Sequence, residues 1–75
     1  MDVPNHLVAL TGAVQSIREA QNAARQVVRD LPAGVRQDRA KELALRLVEA
    51  LALAERLEFC LELDHAERQH MAVAR

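Results

Sequence analysis

Apolar positions recur with one regular spacing from Val3 to Leu31. Val3, Leu7, Leu10, Val14, Ile17, Gln21, Ala24, Val28 and Leu31 follow one another in steps of four and three. That is the heptad spacing of a helix with one packed seam, and it predicts a helix over about residues 3–31. Gln21 is the one polar residue in the seam. Asp2 or Asn5 can cap the start, and Pro4 is tolerated in a first turn. Ala9, Ala13, Ser16, Ala20, Ala23 and Val27 form a second stripe one residue back from the seam, about 100° round the helix. Side chains this small let another helix come close.

The pattern breaks at Leu31-Pro32-Ala33-Gly34. Proline cannot continue a helix, and glycine takes turn conformations readily, so a turn is expected over 32–37. Asp38 can cap a second helix running to about His70. Between Leu43 and Ala54 only Arg46 and Glu49 are polar, an apolar arc wider than one neighbouring helix covers. The helices are unequal. Folding back at the turn sets Leu7 near Glu62 and leaves the residues beyond about Leu63 without a first helix to pack on. Asp64 to His70 is accordingly polar, and a polar C-terminal tail is expected.

These elements fill one domain, residues 1–75, of the all-α class. The expected architecture is a two-helix antiparallel hairpin that dimerises into a four-helix bundle. Short chains bury too little surface to be stable without a disulfide, a metal or self-association. Cys60 is the only cysteine, which excludes an internal disulfide. The expected oligomer interface takes Leu43, Leu47, Val48, Leu51, Ala54 and Leu57 from the second helix. From the first it takes Val14, Ile17 and Gln21, with Gln21 setting the register.

Composition narrows the picture further. Hydrophobic residues make up 51% of the chain and charged residues 28%, which is not the composition of a disordered chain. Phe59 is the single aromatic. The formal net charge of −1 favours neither nucleic acid nor a membrane surface. The sequence shows no signal-peptide pattern at Met1–Asn5 and no apolar run of the roughly 20 residues a membrane span needs. With a lone thiol, a cytoplasmic setting is expected.

Charge is nonetheless polarised. Between Arg18 and Lys41, six basic residues stand against Glu19, Asp30 and Asp38. Between Glu42 and Glu67, seven acids stand against Arg46 and Arg56. The turn end of the hairpin is basic and the open end acidic, and two hairpins match these poles best when packed antiparallel.

Candidate chemistry is sparse. Glu62 and His65, and Glu67 and His70, share Glu-x-x-His spacing, which sets a carboxylate and an imidazole on one helix face. A bundle metal site also needs carboxylates from a facing helix, and the first helix offers only Glu19 and Asp30, away from its seam. No metal ligand and no cofactor are therefore assigned. Cys60 lies between Glu58 and Glu62, which disfavour a reactive thiolate. Thr11 and Ser16 have no base at matching spacing, and there is no glycine-rich phosphate loop. No catalytic residue is assigned, and the chain is not expected to be an enzyme. Arg25, Arg29, Arg36, Arg39 and Lys41 form a candidate basic surface at the turn end, but no aromatic side chain lies among them for base stacking. The expectation is a small non-catalytic interaction module, an adaptor, inhibitor or chaperone-like partner. It acts as a self-associating hairpin, a homodimer or higher homo-oligomer, on a protein partner that the sequence does not name. The alternatives are a nucleic-acid-binding bundle using the basic turn end and a metal-binding bundle.

Overall fold

The structure, a computed structural model, describes residues 3–73, and their side chains as far as residue 70. It contains two helices packed against each other, α1 (Asn5–Asp30) and α2 (Val35–Val73). Asp2 and the last two residues, 74 and 75, lie outside the described residues. The hairpin is a rod of 63 × 16 × 13 Å. Its radius of gyration is 17.7 Å, against about 11 Å for a compact domain of this length.

Helix α1 starts on a backbone cap. The carbonyl oxygen of Pro4 accepts from the amides of Leu7 at 3.0 Å and Val8 at 3.2 Å, and no side chain among the described residues, Asn5 included, caps this end. At the other end Leu31 leaves the helix with φ −86° and ψ 139°, the extended form that a following proline imposes. Its amide still donates to Val27 O at 3.0 Å.

The turn is tighter than expected. Helix α2 begins at Val35, ahead of Asp38, because Gly34 makes the reversal in one step with φ 153°. That backbone conformation suits glycine and strains other residues. Gly34 O then accepts the first helical bond, from the amide of Asp38 at 3.0 Å. Asp38 sits inside the first turn, where its carboxylate favours the positive end of the helix dipole. Gln37 closes the reversal from above by donating to Val28 O and Leu31 O.

The core is a single seam. From α1 it buries Leu7, Val14, Gln21 and Ala24, with Leu10, Ile17, Val28 and Leu31 half-buried between them. Val3, the first position of the same heptad series, is 55% exposed. From α2 it takes Ala40, which is buried, and then Ala44, Leu47, Leu51, Ala54, Glu58, Leu61 and His65, all half-buried. Contact between the helices therefore continues past Leu63, since His65 shares a groove with Val3 and Leu7. Among the described residues, no side chain is completely enclosed.

Candidate interaction surface

The two flanks of the seam differ, and one ion pair tells them apart. The guanidinium of Arg18 donates to a carboxylate oxygen of Glu55 at 2.9 Å, linking α1 to α2. Arg18 follows seam residue Ile17, and Glu55 follows seam residue Ala54. The positions one residue after each seam therefore share one flank, and the positions one residue before each seam share the other. Both side chains of the pair are about half exposed, so it contributes at most about 1 kcal/mol.

The flank carrying Arg18 and Glu55 is mixed. Near the turn, Arg25, Arg29 and Lys41 gather with Val28 and Ala44 round a groove of about 370 Å³. At the open end, Val3, Leu7, Val8, Thr11, Glu62 and His65 line one of about 350 Å³. Leu45, Val48 and Phe59 project between these polar groups, and Phe59 is 66% exposed.

The opposite flank is small and apolar. On α1 it consists of Ala9, Ala13, Ser16, Ala20, Ala23 and Val27, all exposed. On α2 it carries Leu43, Arg46, Ala50, Leu53, Leu57, Cys60 and Asp64. Leu53 is 67% exposed and Leu43 54%. Among the described residues, the ion pairs on this flank stay within α2: Arg46 with Glu49 at 3.1 Å and Arg68 with Asp64 at 3.2 Å.

The residues expected at an oligomer interface thus fall into two groups. Val14, Ile17, Gln21, Leu47, Leu51 and Ala54 form the seam inside the hairpin. Leu43 and Leu57 lie on the apolar flank and Val48 on the mixed one, all exposed. The basic residues divide as well. Arg25, Arg29 and Lys41 converge on one groove, while Arg36 lines a hollow at the turn with Leu31 and Pro32. Arg39 reaches Glu42 at 3.9 Å.

No three His, Cys, Asp or Glu side chains converge as a metal would require, among the described residues. His65 is half-buried and His70 exposed. Cys60 is an exposed free thiol. No helix among the described residues is long and apolar enough to cross a membrane. Comparison with protein-family models, curated proteins and solved structures finds no match.

Proposed function

We propose that this chain is a small non-catalytic protein–protein interaction module, an adaptor, inhibitor or chaperone-like partner, that works as a self-associating helical hairpin. One observation carries the reading: the hairpin leaves large apolar side chains of α2 uncovered on both flanks. Leu43, Leu53 and Leu57 on one side and Leu45, Val48 and Phe59 on the other are each at least 43% exposed. The exposed area is 6011 Å², against about 4,600 Å² for a compact monomer of this mass. The difference is larger than the roughly 800 Å² each partner contributes to a standard interface. A single exposed thiol fits action in the reducing cytoplasm.

Light scattering on the purified chain tests the reading. A particle of twice 8.4 kDa or a larger whole multiple supports it. A fully helical monomer at micromolar concentration overturns it.

A second reading is favoured by the convergence of Arg25, Arg29 and Lys41 on one groove. Here the turn end binds nucleic-acid phosphates. Titration with RNA at two salt concentrations separates the two readings, because phosphate binding weakens steeply as counterions are added.

A further inference from the structure

We propose that the apolar flank is covered by a second copy of this chain, seated antiparallel about a two-fold axis that crosses α1 at Arg18 and α2 between Leu51 and Ala52. The proposal rests on the self-association proposed above and specifies which flank and which register it uses.

The register of the hairpin itself fixes which residues lie level. Near the turn Val28 shares a groove with Lys41, and at the open end Leu7 shares one with Glu62. Counting inward from either pair sets Arg18 level with Leu51. Arg18 still reaches Glu55 at 2.9 Å. Each side chain leans toward the N-terminus of its own helix, and in an antiparallel pair that lean brings these two together along the rod.

The flank of α1 is its own complement about Arg18. In an antiparallel copy centred there, Ser16 meets Ala20, Ala13 meets Ala23 and Ala9 meets Val27, while His6 meets Asp30 at both ends. Arg18 is also within one residue of the middle of α1 (Asn5–Asp30), so the two α1 helices overlap along their whole length. Side chains this small let them approach to the roughly 8 Å lower limit of helix packing.

Helix α2 has such a point at the same height. About the junction of Leu51 and Ala52, Ala50 meets Leu53, Leu43 meets Cys60 and Arg46 meets Leu57. Further out on the same flank, Arg39 meets Asp64 and Arg36 meets Glu67, and both pairs join opposite charges. The α2 register that matches the charges is thus the one the α1 stripe selects. It lays the basic turn end of each copy over the acidic open end of the other.

Other registers fit less well on both helices. Sliding the copies by a heptad one way leaves no charge match and sets Asp30 against Ala13 and Arg39 against Leu57. Sliding the other way keeps one match, Arg46 with Asp64, and sets Glu67 against Leu43 and His6 against Ala23. Charges placed on apolar side chains without an opposite partner are costly. The mixed contact of the proposed register is Arg46 beside Leu57. Arg46 is bound to Glu49 at 3.1 Å and its side chain is 67% exposed, so its stem can cover the leucine while the charge stays in water. A copy on the mixed flank at the same height would set Arg18 against its own counterpart, like charge against like.

Cysteine cross-linking through the native Cys60 tests this geometry. Leu43→Cys places a second thiol opposite Cys60 of the other copy, within disulfide reach. The two thiols of one chain lie about 25 Å apart along one helix and cannot bond to each other. Mild oxidation should therefore convert the Leu43→Cys variant to a covalent dimer and leave the unaltered chain unlinked. Arg36→Cys reads a one-heptad slide by the same chemistry. Ala9→Cys reads the other two-fold arrangement, in which the turn ends lie together and α1 lies over α2 of the other copy. A dimer that links through position 36 or 9, or that fails to link through position 43, overturns this geometry and leaves self-association standing. A monomer by light scattering overturns both.

Charge reversal checks the register without altering the apolar residues. Arg39→Glu should raise the dimer dissociation constant roughly tenfold, because two contacts with Asp64 per dimer become repulsive. Adding Asp64→Arg should restore it. Equal weakening by the single and double variants overturns the register.

Discussion

Gln37 donates from its carboxamide to the carbonyl oxygen of Leu31 at 3.1 Å, holding the last residue of one helical path against the first turn of the next. The same nitrogen donates to Val28 O at 3.0 Å. Both acceptors belong to the carbonyls a helix end leaves without partners. Gln37→Ala should therefore destabilise the hairpin by about 1–2 kcal/mol. Gln37→Glu should cost more, because a carboxylate would face two carbonyl oxygens with nothing to donate. Thermal melts at one fixed protein concentration check both. An unchanged melting temperature for Gln37→Glu would show that the turn is held by its backbone alone.

The two glycines should respond in opposite directions to the same change. Gly12 lies inside α1, and a β-carbon there meets nothing within 4 Å. Gly12→Ala should stabilise by up to about 1 kcal/mol through helix propensity. A β-carbon at Gly34 also finds open space, but the φ of 153° strains any residue that carries one. Gly34→Ala should destabilise by about 1–3 kcal/mol. Helical ellipticity followed against temperature gives both signs in one experiment.

Leu47 and Leu53 separate folding from association. Leu47 is half-buried against α1, and a charge there costs several kcal/mol, a large share of a small domain's stability. Leu47→Asp should lose helical signal and oligomer together at any concentration, and Leu51→Asp should do the same. Leu53 is 67% exposed and outside the seam. Leu53→Asp should lower the melting temperature and abolish its dependence on protein concentration. A Leu53→Asp melting temperature that still climbs with concentration would mean association uses another surface.

Gln21 is 8% exposed in the middle of the seam. Among the described residues, no enclosed side-chain nitrogen or oxygen lacks a partner, so its amide is accommodated without gaining the burial a leucine would. Gln21→Leu should raise the melting temperature, by about 1 kcal/mol of added apolar burial. A polar residue at one seam position also fixes alignment at a cost in stability, so the variant should populate more than one assembly in sedimentation. A lower melting temperature with a single unchanged assembly would refute both effects.

Much of α1 was legible in the sequence because its seam is spaced without interruption and flanked by small or polar residues. From Leu7 to Leu31 the side chains at that spacing are the ones the structure covers. Helix α2 was harder to read. Its arc from Leu43 to Ala54 is apolar in nearly every direction, so periodicity alone does not choose which side meets α1. The seam also runs through Glu58 and His65, whose stems cover apolar surface while their polar ends reach water. That hid the packing beyond Leu63. Asp38 looked like the start of α2, yet the glycine conformation at Gly34 had already begun the helix. The small stripe on α1 was visible as a pattern. Its alignment with Leu43, Leu53 and Leu57 needed the Arg18–Glu55 contact, which joins residues far apart in sequence.

If the chain self-associates as proposed, a core that encloses no side chain completely among the described residues would make abundance a structural variable. Where pairing supplies the missing burial, the folded fraction follows mass action and falls as the chain becomes scarce. If the chain pairs as proposed, unpaired copies would open more often and be removed by proteases that act on open chains. The amount of this protein would then be sharpened by its own turnover: well above the dissociation constant copies protect one another, and below it they are cleared.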